Sequence, residues 1–284
     1  MLINLVEYHR PRDLQEALRL LCRPRPRTVP LAGGSTLLGS DDGDVEAVVD
    51  LQDLGLRYVK ADAEAQAVRL GAMATLADVS GCQALQSIYD GIIAEAAHRC
   101  AGRVLRHQAT IGGAVAVADP ADELLVALLA GDAQVTMHAP DETHLPLSGF
   151  LARREEWLAA HALVTEVSVG RPPEGTGAAL QRVARTPADA PIVCAAAVLS
   201  ADGGRCIAAR LALGGVAERP ARLCEVEAML VGQALSAAQI EAAAERVSEL
   251  VQPPGDFRGS AAYRKVMAGV LSGRVLRQAL ARLT

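Results

Sequence analysis

Aromatic side chains are scarce in this chain: one Trp, four Tyr and two Phe make up 2% of its 284 residues. A nucleobase or other planar ligand would have to be packed by aliphatic groups and backbone, because stacking partners are missing. Cys22, Cys82, Cys100, Cys194, Cys206 and Cys224 stand singly, without the paired spacing that iron–sulfur clusters and zinc sites need. They read mostly as small buried residues of a reducing compartment. His9, His98, His107, His138, His144 and His161 show no ligand spacing either, and His107 reads as structural. No run of Lys or Arg is long enough for a nucleic-acid footprint, and the formal net charge is −5, which argues against that partner class. There is no leader pattern and no apolar stretch of membrane-spanning length, so a cytoplasmic location is expected. Neither G-x-G-x-x-G nor G-x-x-x-x-G-K-[ST] occurs, which sets aside Rossmann and P-loop nucleotide binding.

What is abundant is small and apolar. Hydrophobic residues are 51% of the chain, chiefly Ala, Leu and Val, enough for a substantial core, and the length predicts two domains or one large and one small. Two glycine pairs stand out, Leu31-Ala32-Gly33-Gly34-Ser35-Thr36 and Ala109-Thr110-Ile111-Gly112-Gly113-Ala114. Each reads as a β-like run that stops at Gly-Gly beside a hydroxyl. One such pair is most simply a plain turn. Two in matching contexts suggest loops whose N–H groups meet one anion, a pyrophosphate being the natural candidate.

Along the chain, Asp13 caps a helix with Leu14, Ala17, Leu18 and Leu21 on one face, and Arg23-Pro24-Arg25-Pro26-Arg27 ends it as a solvated turn. Strands are expected at Thr28 to Ala32 and Ala47 to Leu51, then at Val68 to Ala72, with a helix capped at Thr75 and another over Ile92 to Cys100. Pro120-Ala121-Asp122-Glu123 opens an apolar helix whose first-turn acids suit the helix dipole. Strands follow at Gln134 to His138 and Leu163 to Val169. The Pro- and Gly-rich stretch Arg171 to Gly177 marks a domain boundary. Beyond it come strands at Ile192 to Leu199 and Ile207 to Leu213, a helix capped by Ser236, and a last helix from about Ala261, interrupted near Gly269 and Gly273. Strands followed by helices predict an α+β order.

Taken in order, these segments resemble the FAD-binding subunits of molybdenum hydroxylases, the group of the carbon monoxide dehydrogenase medium subunit and the xanthine dehydrogenase flavin domain. Ala32-Gly33-Gly34-Ser35-Thr36-Leu37 is similar to that family's A-G-G-x-[ST/D]-L loop. Thr110-Ile111-Gly112-Gly113, followed by Pro120 to Glu123, is similar to its T-I-G-G-N and P-x-x-[DE] segments. Leu211 to Ala217 and Asp256 to Arg264 fall where the family has its C-terminal domain. The resemblance implies an α+β architecture: a two-lobed PCMH-type FAD-binding domain over 1–175, with lobes of about 1–57 and 58–175, then a small domain of antiparallel sheet and helices over 176–284.

By the same resemblance, amides of Ala32 to Leu37 and of Thr110, Ile111, Gly112 and Gly113 cradle the FAD pyrophosphate, with hydrogen bonds from Ser35, Thr36 and Thr110. Glu123, with Asp122 beside it, would accept from ribityl or ribose hydroxyls; plain first-turn helix acids are the rival reading. Arg106 either places charge near the phosphates or is solvated. Arg182 either lies near the isoalloxazine carbonyls or is a sheet-edge cation in a surface pair, and Asp189 either matches the family's acid here or caps a turn. The chain departs from the pattern at Ala114, Thr186 and Ala190, each removing a polar or stacking contact. The implied role is electron transfer through FAD to NAD or a quinone-type acceptor. The implied partners are a small [2Fe-2S] subunit and a large molybdopterin-binding subunit, in a dimer of heterotrimers. The rival is a flavin-free scaffold of the same kind of complex. A free-standing flavin oxidase is disfavoured, because that type carries an additional substrate domain.

Overall fold

A computed structural model describes residues 2–139 and 141–283. In chain order its elements are β1 (Glu7–His9), α1 (Leu14–Leu21), β2 (Thr28–Leu31), β3 (Ala47–Asp50), β4 (Val59–Asp62), β5 (Ala67–Gly71), α2 (Leu76–Ser80), α3 (Gln83–Gln86), α4 (Ile92–Arg99), α5 (Arg103–Arg106), α6 (Ile111–Val117) and α7 (Glu123–Ala130). They continue with β6 (Gln134–His138), β7 (Glu142–Pro146), α8 (Leu147–Ala152), α9 (Arg154–Ala159), β8 (Leu163–Gly170), β9 (Thr176–Val183), β10 (Val193–Asp202), β11 (Arg205–Gly214), β12 (Ala221–Arg222), α10 (Cys224–Leu230), α11 (Ala237–Leu250) and α12 (Ala261–Ala281).

Contacts gather these elements into two compact units, Met1–Val79 with Gly102–Val117 and Gln134–Ser168, and Ser80–Ala101 with Ala118–Ala133 and Val169–Thr284. Two earlier stretches pack with the C-terminal one. α7 supplies a reason. Every residue from Glu123 to Ala130 is buried, so this helix, apolar all round, has no side for water and lies against β10 and β11.

The first unit holds two sheets. β1 and β2 both pair in parallel with the central β3, whose four residues are all buried, as a strand covered on both faces should be. The Asp13 carboxylate accepts the Glu16 N–H at 2.8 Å and starts α1. The second sheet has the order β4-β5-β8-β6-β7. Arg23 and Arg27 are not a simple solvated turn: Arg23 pairs with Glu7 at 2.7 Å and Arg27 with Asp42 at 2.7 Å.

The second unit is an antiparallel sheet, β12-β11-β10-β9, with helices. Alternate β10 residues Val193, Ala195, Ala197 and Leu199 join one core with Ile240 and Val247 of α11 and Leu271 and Val275 of α12. The outward N–H of Ala178 on edge strand β9 donates to Asp90 at 2.7 Å, and its carbonyl accepts from Arg282 at 2.7 Å, so the edge is satisfied at this residue.

Three further expectations are corrected. The second glycine pair does not end a strand: Gly112 and Gly113 lie in the first turn of α6. Only Cys194 and Cys206 are buried; Cys22 and Cys224 are exposed. α12 runs unbroken from Ala261 to Ala281, because its glycines admit α11. A Cβ on Gly269 would lie 2.0 Å from Ser248 Oγ and 2.9 Å from the Ala244 oxygen, and one on Gly273 3.2 Å from Ala244 Cβ. Gly269→Val is therefore expected to lower unfolding free energy by about 2 kcal/mol in urea titration. Gly269→Ala should cost less, since Ser248 can rotate away.

Candidate functional site

The first glycine pair links β2 to a single 3-10 turn, Leu37–Gly39. Gly34 takes φ +71°, so the chain reverses there, and Leu38 N–H donates to Gly34 oxygen at 3.0 Å. Ser35 and Thr36 are exposed. A Cβ on Gly33 would lie 1.8 Å from the Gln108 carbonyl oxygen. At that point the two glycine-bearing segments touch, and only glycine permits it.

The second segment is knitted to the turn after β5. Ile111 N–H donates to Ala74 oxygen and Gly112 N–H to Ala72 oxygen, both at 2.9 Å, while Ala109 accepts from Leu76 N–H at 2.9 Å. Gly113 N–H donates to the Thr110 hydroxyl at 3.1 Å, and Thr110 is buried. A Cβ on Gly112 would meet Ala72 Cβ at 2.6 Å. Thr75 and Asp78 cap α2 reciprocally at 2.9 and 3.1 Å. The N–H groups of Ile111, Gly112 and Gly113 thus have protein acceptors. Among the described residues, those of Gly33, Gly34, Ser35, Thr36 and Leu37 have none. A run of amides without acceptors, at a turn with positive φ, is a donor set suited to an anion.

Gly33, Gly34 and Ser35 of this run border an open pocket of about 740 Å³, lined also by Thr110, Arg10, Arg57 and His107, whereas Thr36 and Leu37 are not among its lining residues. Arg10 pairs with Asp53 at 2.9 Å and Arg57 with Asp78 at 3.0 Å, so both guanidinium groups are held on its wall. Burial pushes the Asp78 carboxyl up, but the bonds from Arg57 and Thr75 outweigh it and hold its pKa below the ordinary value. No motif marks Arg10 or Arg57, which lie 23 residues either before Gly33 or after Gly34. Arg106 ends α5 and is not among the lining residues. No Phe, Tyr or Trp lines the pocket; Leu38, Met73 and Leu105 do.

The other expected site residues lie in the second unit. Asp122 caps α7, its Oδ1 accepting Leu124 N–H at 2.8 Å and Leu125 N–H at 3.2 Å. Glu123 is 1% exposed; its Oε2 is 2.8 Å from Arg182 Nη1 and its Oε1 3.8 Å from Arg99 Nη1. Arg182 also donates to the Pro187 carbonyl. Glu123 and Arg182 are thus brought together as a buried ion pair. Asp189 sits in a turn, its N–H donating to Thr186 oxygen at 3.2 Å and its carboxylate 3.6 Å from Arg185.

Residues 4–172 match the family model of the FAD binding domain in molybdopterin dehydrogenase, and residues 178–279 match that of the CO dehydrogenase flavoprotein C-terminal domain. The chain belongs to this flavoprotein family. The carbon monoxide dehydrogenase medium chain of Afipia carboxidovorans is 30% identical, with 99% of each chain covered. The 6-hydroxypseudooxynicotine dehydrogenase complex subunit alpha of Paenarthrobacter nicotinovorans is 32% identical over 95% of this chain and 93% of its own. A solved carbon monoxide dehydrogenase from Hydrogenophaga pseudoflava superposes with a TM-score of 0.92 at 29% identity, covering 100% of both chains. This flavoprotein is an FAD-binding subunit of a molybdopterin-dependent oxidoreductase. Its donor set fits that cofactor: the amides of Gly33, Gly34 and Ser35 can meet a pyrophosphate, and the apolar part of the lining, Leu38, Met73 and Leu105, holds no aromatic ring, in keeping with the scarcity of aromatic residues. Among the described residues no helix is long and apolar enough to cross a membrane.

Proposed function

We propose that this chain is the electron-transfer subunit of a heterotrimeric molybdenum hydroxylase, receiving electrons from a small [2Fe-2S] subunit and delivering them to NAD⁺ or a quinone-type acceptor. A large molybdopterin subunit oxidises the substrate. Bound flavin supplies the exchange between one-electron and two-electron partners. The observation that carries the reading is the run of amides from Gly33 to Leu37 without a protein acceptor, beside a pocket with Arg10 and Arg57 on its wall. Those amides, the Ser35 and Thr36 hydroxyls and the Thr110 N–H bind the pyrophosphate, and the two arginines orient it. Asp122 and Glu123 support the second unit, as helix cap and as anchor of Arg182. No side chain of this subunit has to act as nucleophile or general base.

The test is isolation of the native assembly. Two further polypeptides should co-purify, one with iron–sulfur absorption, and NAD⁺ or a quinone should restore, anaerobically, the absorption of flavin that has been chemically reduced in the complex. A flavoprotein that purifies alone and turns over its own substrate would refute the relay.

A further inference from the structure

Among the described residues no Asp or Glu lines the pocket beside the first glycine turn, although Arg10 and Arg57 do. The carboxylates that balance these cations stand behind them, Asp53 against Arg10 at 2.9 Å and Asp78 against Arg57 at 3.0 Å. The two pairs differ in how firmly the carboxylate itself is fixed. Asp53 accepts from Arg10 and from no other described residue. Asp78 accepts the Thr75 N–H at 2.9 Å, and its own N–H donates to the Thr75 hydroxyl at 3.1 Å. Thr75 is buried and bridges to Thr110, which ties Asp78 to the segment carrying the second glycine pair.

From that fixed point Asp78 grips Arg57 with both oxygens, Oδ2 on Nε at 3.0 Å and Oδ1 on Nη2 at 3.2 Å. Arg57 has a side chain 63% exposed, and among the described residues its guanidinium has no other polar partner. Two of its five N–H donors are taken, and three remain for whatever enters the pocket. A two-point grip by a carboxylate fixes the plane of a guanidinium as well as its position. The side chain is thus ordered before an anion arrives and loses little rotamer freedom on meeting one.

We propose that Asp78 is a positioning residue for the cofactor: it aims Arg57 at the pyrophosphate of FAD, and so tightens binding more than its own negative charge weakens it. This rests on the reading that the pyrophosphate lies at the first glycine turn. Orientation and charge predict opposite signs here. By charge alone, removing a carboxylate from the neighbourhood of an anion strengthens binding. Asp78 acts on the pocket from behind an exposed arginine, however, and water and salt weaken that repulsion with distance. A hydrogen bond from a charged donor forms only if the donor is in place, so orientation is the larger effect.

The test titrates the full-length chain with FAD, following the fluorescence of the free cofactor, and records urea unfolding of the same FAD-free proteins. Asp78→Asn keeps an oxygen for the Thr75 N–H, so the cap of α2 survives, but it cannot accept both Arg57 donors. It should raise the FAD dissociation constant about tenfold with little change in the unfolding midpoint. Arg57→Gln should raise it at least as much, and Arg57→Lys should not rescue it, since an ammonium cannot be gripped at two points. Adding Asp78→Asn to Arg57→Gln should bring no further loss, because both act through one contact. Unchanged or tighter FAD binding in Asp78→Asn, a loss that adds to that of Arg57→Gln, or one that follows the unfolding midpoint would each overturn the positioning role and leave the pocket assignment standing. Undiminished affinity in Arg57→Gln would also overturn it. If Gly33→Ala bound FAD normally as well, the reading of the pyrophosphate site would fall with it.

Discussion

Gly33→Ala is expected to strip the chain of FAD and to lower its unfolding free energy by about 2 kcal/mol. The added Cβ would stand 1.8 Å from the Gln108 carbonyl oxygen, 2.6 Å from its carbon and 3.2 Å from Ala109 Cα. All three are backbone atoms, so no rotamer change relieves the contact. The two segments would have to part by roughly 1.5 Å to restore an ordinary C···O separation of about 3.3 Å. That displacement moves Gln108 to Thr110 away from the first loop, and with them one wall of the pocket. Gly39→Ala is the matched control: Gly39 lines the same pocket, and a Cβ there meets nothing within 4 Å. It should keep both flavin and stability. Flavin absorbance per polypeptide after desalting, read alongside a urea titration, decides the matter. Full occupancy in Gly33→Ala would show that the close approach does not shape the cofactor site.

The helices whose caps stand in the sequence were legible, because a capping side chain and the apolar face after it are both local. Asp13, the Thr75–Asp78 pair and Ser236 each accept or exchange the hydrogen bonds their spacing predicts. β4 was not legible: its burial alternates poorly, with Lys60 and Ala61 both exposed, so no period-two pattern announces it. Glycine misled in two places for one physical reason. Gly112 and Gly269 are helical residues whose missing Cβ admits a neighbouring segment, and in sequence that need looks the same as a turn. Of the candidate site, the turn at the first glycine pair could be read, since Gly-Gly after a strand is a local signal. Arg10 and Arg57 could not, since only the fold carries them to the pocket. The meeting of Glu123 with Arg182, 59 residues apart, likewise depends on α7 lying against the β9–β11 sheet.

That buried pair carries the second large effect. Glu123→Ala is expected to destabilise the chain by about 3–5 kcal/mol, because it leaves Arg182, 13% exposed, facing a cavity without its anion. Glu123→Gln should cost only about 1 kcal/mol, since an amide oxygen can still accept from the guanidinium. The two variants separate shape and hydrogen bonding from charge. Burial, only partly offset by Arg182 and Arg99, raises the Glu123 pKa above its ordinary 4.5. A carboxyl that holds its proton more tightly folded than unfolded adds stability that is complete below the unfolded pKa and is lost as pH rises through the folded one. Glutamine does not titrate, so wild type alone incurs this loss. The stability gap between wild type and Glu123→Gln should therefore narrow as pH climbs from 4.5 through the raised pKa, and stay constant above it. Urea titrations at a series of pH values measure that gap directly. A gap that widened with rising pH would mean that Arg182 more than repays the cost of burying the charge, and that the ion pair itself, not its shape, holds α7 to the sheet.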